Sequence, residues 1–133
     1  MGDKNMLIRA FNNHFFEFLK DIISIYPEND DIINANTSFE LIKRANPTVI
    51  IKAWHKFVYL PYSIEIANGN IDFFINKDYG TDLVDLPNSN DIMRMIDNIR
   101  VPIRSMNVIN KAHSATYIQN LCKISNRYNE LSN

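Results

Sequence analysis

Between Asn5 and Tyr26 apolar side chains recur every three or four residues along two rows at once. One row holds Leu7, Phe11, Phe15, Phe18, Ile22 and Ile25, the other Ile8, Phe16, Leu19, Ile23 and Tyr26. A period near 3.6 puts each row on one face of an α-helix. Two apolar faces on a single helix require cover from more than one side. This helix is therefore either central in a bundle or has a spare face that meets another chain.

Helical spacing recurs along most of the sequence, and strict two-residue alternation is scarce. Pro27 and the run Glu28, Asn29, Asp30, Asp31 stop the first helix and start a second, because Asn or Asp accepts from the free N–H groups of a helix start and acid there complements its dipole. The second helix runs to about Ala45. Asn46-Pro47 reads as a cap followed by proline at the first helical position. A third helix follows, with Val49, Ile50, Ala53, Trp54, Phe57 and Val58 on its buried face. Pro61 ends or kinks it, a short helix restarts over 62–67, and Asn68-Gly69 forms a left-handed stop. Ile71, Phe73, Phe74 and Ile75 read as a helical turn. Residues 76–90, rich in Asp, Asn, Gly and Pro, form the one clear irregular stretch. Asn88, Ser89 or Asn90 caps a further helix carrying Ile92, Met95, Ile96 and Ile99, which Pro102 terminates. The last helix spans about Asn107 to Leu131, with a stripe of Tyr117, Leu121, Ile124, Tyr128 and Leu131.

The chain has 133 residues, 46% hydrophobic and 22% charged, so it is expected to fold as one domain, 1–133, an all-α compact bundle of five to six helices. No apolar run approaches the roughly 18 residues of a membrane span, and the start MGDKNML lacks a signal peptide's basic residues and cleavage site. The expectation is an intracellular protein without a membrane partner. The 20 Ile and 19 Asn reflect A/T-rich codons more simply than any physical demand.

His14 lies beside Phe11 and Phe18, which raises the question of a site. A metal ligand or general base needs converging partners. His55 and His113, the other two histidines, stand far off in sequence with no spacing that unites the three. Asp78, Asp82 and Asp85 invite a cation reading but lack the EF-hand ladder and its closing Glu. Cys122, alone in the chain, forms no internal disulfide and no cysteine-based zinc site, and reads as a small buried hydrophobe. No nucleophile elbow or phosphate-cradling glycine loop is present. The reading is a protein that is not an enzyme and has no catalytic residue, metal or cofactor.

Two functional expectations remain. The first is a non-catalytic helical interaction or structural protein that works through contacts with a protein partner, a second copy of the chain included. Its core and interface candidates are Phe11, Phe15, Phe16, Phe18, Trp54, Phe57, Tyr117, Leu121, Ile124 and Tyr128. The alternative is a nucleic-acid-associated regulatory protein. Residues 91–133 hold 6 Lys or Arg against 3 Asp or Glu, while residues 1–90 hold 8 against 12. Arg94, Arg100, Arg104, Lys111, Lys123 and Arg127 would supply a weakly basic face, well short of a dedicated duplex-binding footprint.

The stretches AFNNHFFEFLKDIISIYPENDDI, NPTVIIKAWHKFV, GNIDFFINKDYGTDL and YIQNLCKIS resemble a family of small uncharacterised proteins of large nucleocytoplasmic DNA viruses, the giant viruses. The resemblance spans most of the chain and implies a viral setting: the host cytoplasm, a viral factory or the virion. It implies no activity, cofactor or catalytic residue.

Overall fold

A computed structural model of the chain describes residues 2–76 and 89–132, with the side chains of residues 2–75 and 96–132. Every regular element among them is helical: α1 (Gly2–Ile25), α2 (Asp30–Ala45), α3 (Val49–Trp54), a π-helical turn (His55–Tyr59), α4 (Leu60–Ala67), α5 (Ile71–Asn76), α6 (Ser89–Arg104) and α7 (Val108–Ser132). Because α3, the π turn and α4 follow one another without a break, these make six rods, and the all-α bundle expected from the sequence is what forms.

Local chemistry sets most of the boundaries. Asn29 Oδ1 accepts from Ile32 N at 3.2 Å and caps α2, with Asp30 and Asp31 in its first turn. Asn46 Oδ1 accepts from both the backbone N (3.0 Å) and the Oγ1 (2.8 Å) of Thr48, a turn that leads into the third rod, but the helix begins at Val49 with Thr48 at its N-cap, two residues later than expected, and Pro47 stands before it. Gly69 takes φ 81°, a conformation that disfavours a Cβ. Around it Asn70 N reaches Glu65 O (2.8 Å) and Gly69 N reaches Ile66 O (3.0 Å), the paired bonds of a Schellman stop. Asn107 Oδ1 accepts from Asn110 N at 2.8 Å and opens α7.

Neither Pro61 nor Pro102 ends the helix it stands in. At Pro61 the rod continues, because the preceding π turn, in which Leu60 N donates to His55 O, widens the backbone where proline would clash. Pro102 does not end α6, which continues to Arg104. It sits in the last turn with its ring buried, and Ser105 N and Met106 N close the end onto Pro102 O and Ile103 O. Only one ladder bond is lost to the missing N–H.

α1 is central. Phe18 stacks on Tyr117 of α7 (5.1 Å between centroids), while Phe15 meets Phe39 of α2 (4.9 Å) and Trp54 of α3 (6.1 Å). In the second row Phe16 and Leu19 are buried and Ile8, Ile23 and Tyr26 are half-buried against the same core, so both apolar rows pack within the chain. One hydrophobic cluster gathers residues from every helix. At about 1.5–3 kcal/mol per large side chain buried, it accounts for the phenylalanines without any ligand.

Candidate functional site

The apolar surface left uncovered on α4 marks the most distinctive groove. Trp54, Val58, Tyr62 and Ile66 recur every four residues and all are buried. On a straight α-helix a step of four drifts by about 40°. The wider π turn absorbs that drift and keeps the row facing inward. The same helix also carries Leu60 and Ile64, one turn apart and facing out, 62% and 71% exposed. Beside them a groove of about 450 Å³ runs between α4 and α7. Its α4 wall includes the small side chains of Ser63 and Ala67, which leave the space open, with Ile64 at its edge, and Tyr59 of the π turn adds its ring.

The α7 wall is polar at the rim and apolar at the base. Gln119 Nε2 donates to Ile66 O at 2.9 Å, tying the two helices together beneath the groove. Cys122 is 5% exposed, and its Sγ accepts from Trp54 Nε1 at 3.4 Å. Burial pushes the thiol up to about 11, against which the Trp54 hydrogen bond pulls weakly, so at neutral pH it is a protonated, poorly nucleophilic group. Lys123 is the charged residue of the lining, and no carboxylate contributes to it.

The residues singled out from sequence divide into interior and surface. Phe11, Phe15, Phe16, Phe18, Trp54, Phe57, Leu121 and Tyr128 are buried within the single chain. Tyr117 and Ile124 are half-buried against the same core. The face α7 turns inward is offset from the expected stripe. It includes Ser114, Ile118, Leu121, Ser125 and Tyr128, whereas Leu131 is exposed. Ser125 Oγ folds back onto Cys122 O at 3.0 Å, and Ser114 Oγ donates to Met106 Sδ at 3.3 Å, which lets two hydroxyls sit in the interior.

Among the described residues, most of the basic side chains named from sequence are engaged within the chain. Arg100 is 2% exposed, bonded to Phe74 O at 3.0 Å and paired with Asp97. Arg104 donates twice to Ile75 O, at 3.0 and 2.9 Å, fastening α6 to α5. Lys111 pairs with Asp72 at 3.5 Å and Arg127 with Glu130 at 3.3 Å. Lys123 points to the groove rim. The side chain of Arg94 lies outside the described residues, as do those of Ile92 and Met95, and the whole 77–88 stretch with Asp78, Asp82 and Asp85.

His14 is half-buried against Tyr117 (4.8 Å), whose hydroxyl pKa is raised by burial and then by the charges of Asp21 and Glu17. His55 stacks on Tyr59 (5.0 Å, 17°), and its pKa is lowered from 6.5 by burial. His113 is exposed. Among the described residues no three His, Cys, Asp or Glu side chains stand close enough to hold a metal ion.

Comparison with known proteins gives no match to a family model, to a curated protein or to a solved structure. The groove residues Tyr59, Ser63, Ile64 and Ala67 escaped the sequence reading. Their signal was present in LPYSIEIA, where Leu60, Tyr62, Ile64 and Ile66 put apolar side chains on more than one face of a short helix.

Proposed function

We propose that this chain is a non-catalytic interaction module whose α4–α7 groove receives an amphipathic helix of another protein. The observation that carries the reading is the outward pair Leu60 and Ile64 beside a groove with an apolar base. A cleft with exposed aliphatic side chains at and beside its edge is the kind of surface into which an amphipathic helix lays its apolar face. Lys123 at the rim, with no carboxylate in the lining, favours a partner bearing an acidic residue one turn from its apolar anchors. The lining is aliphatic, hydroxyl and amide, with a protonated thiol at its base; it supports packing and hydrogen bonding rather than attack on a substrate.

α1 is no longer the source of the interface, since its rows are covered inside the chain. The basic residues of 100–127 give the nucleic-acid reading no support either, because most of them bind main-chain carbonyls or nearby acids. The viral setting is supported by the sequence strings quoted above. No helix among the described residues is long and apolar enough to cross a membrane.

The test is capture of a partner from infected cells by the tagged wild type and by Leu60→Glu and Ile64→Glu. Exposed positions like these tolerate substitution within about 0.5 kcal/mol. The glutamates are expected to abolish capture while thermal unfolding stays unchanged. Capture that survives both substitutions sinks the groove reading. Light scattering at tens of micromolar is expected to give a monomer; a dimer abolished by Ile64→Glu would instead make a second copy the occupant.

A further inference from the structure

The π turn that keeps the Trp54 row facing inward also pairs its own first and last residues. His55 and Tyr59 stand close to one turn apart on its wider spiral, and their rings stack at 5.0 Å and 17°. The two rings line different spaces. Tyr59 belongs to the α4–α7 groove, whereas His55 belongs to a separate small cavity against the end of α7. A single stacked pair therefore joins the groove to the cavity.

The surroundings of His55 disfavour a charge on it. The residue is half-buried, and its Nδ1 is buried without a hydrogen-bond partner. Lys52 and Lys56 of its own rod share the cavity, α7 presents Tyr128, Asn129 and Ser132, and α1 sends Lys4 over the Tyr128 ring, 5.5 Å from its centroid. Among the described residues no carboxylate lines the cavity. Burial already lowers the histidine's pKa. Both nitrogens of an imidazolium carry hydrogen, so the charged ring would hold at Nδ1 a buried donor with no acceptor, beside two ammonium groups. A cation over an exposed tyrosine ring gains less than such a charged, unsatisfied donor costs. The protonated ring is relieved by turning out into solvent, away from Tyr59.

We propose that the His55–Tyr59 stack is an acid-sensitive hold on the α4–α7 groove. With His55 neutral the stack fixes the Tyr59 wall; with His55 protonated the imidazole leaves and the wall slackens. The proposal rests on the reading of that groove as a docking site and assigns its regulation: a partner is held at neutral pH and released in acid. His55 is a positioning residue here, since it acts on the groove through Tyr59 and does not line it.

The test begins on the free protein, by NMR between about pH 7.5 and 5.5. Nuclear Overhauser contacts between the two rings are expected at the upper pH and lost at the lower. The Ser63 amide and the Ile64 methyl, on the groove wall, are expected to shift with the midpoint of the His55 titration, below 6.5. His55→Gln is expected to abolish those shifts. In Tyr59→Leu the histidine still titrates, but Ser63 and Ile64 cease to follow it. Partner captured from infected cells on the tagged wild type is expected to be held about two- to tenfold more weakly at the lower pH, the worth of one aromatic contact, and equally at both by His55→Gln. Ring contacts that persist in acid, groove shifts that survive His55→Gln, or acid release unaltered in that variant would each overturn the proposal and leave the groove reading intact. Capture at neutral pH that withstands Ile64→Glu removes the groove reading, and this regulation with it, whatever the rings do.

Discussion

Phe15 touches four other aromatic rings, those of Phe11, Phe16, Phe39 and Trp54, at centroid distances of 4.9 to 6.1 Å. It is the point where α1, α2 and α3 meet, and its burial could be anticipated from spacing, whereas its partners across the bundle could not. The same division holds for Cys122. Its interior position was legible from composition, but the hydrogen bond from Trp54, 68 residues away, was not. With the thiol held near 11, alkylation by iodoacetamide at neutral pH is expected to run at least about a hundredfold slower in the native protein than in denaturant. Comparable rates in the two states would show that Sγ is accessible and the burial misplaced. His55 gives a pH prediction of definite sign. Burial holds its pKa below 6.5, so the folded state resists a proton that the unfolded chain accepts. Lys52 and Lys56 line the same small cavity of about 290 Å³, with Tyr128, Asn129 and Ser132 opposite, and no acid there offsets the effect. The contribution to stability is complete above pH 6.5 and is lost as pH falls through 6.5 toward the lower folded value. Between about pH 7.5 and 5.5 the urea midpoint of the wild type is expected to fall further than that of His55→Gln. Parallel declines would assign the acid sensitivity to other groups.

Among the helices, the ends were easier to read than the faces. Asn29, Asn46, Asn68-Gly69 and Asn107 act through bonds to backbone a few residues away, so their roles are written in short strings. The π turn and the passage of α6 through Pro102 depend on what each rod must bury, and no local string records that. α7 shows the point most clearly. Its apolar residues suggested a stripe through Tyr117 and Ile124, but the helix turns Ser114 and Ser125 inward, both 0% exposed, because their small side chains let it lie close to its neighbours. A reading that ranks positions by hydrophobicity passes over serine. Ser125→Leu, which raises the apolar content of the helix, is therefore expected to destabilise the protein by about 1–3 kcal/mol through overpacking. Thermal unfolding of the variant checks this; a gain in stability would mean that the two hydroxyls face a void rather than a close contact.

For the whole chain, the sequence left two solutions for the doubly apolar α1, and packing selected the one in which every row is covered internally. The candidate groove was less legible because its walls come from residues 59–67 and 119–126, segments that only tertiary packing brings together. A single cluster joining all the helices predicts one cooperative transition. Far-UV circular dichroism and the fluorescence of the buried Trp54 are expected to give coincident urea curves, and separated curves would reveal an element that melts alone. The placement of α1 also bears on how the molecule is made. Its Phe18 row is closed by Tyr117, so α1, made before α7, is not fully shielded from water until α7 has been made. Throughout synthesis the nascent chain carries an oily, unfinished seam, and its maturation depends on how quickly residues 108–132 arrive to seal it.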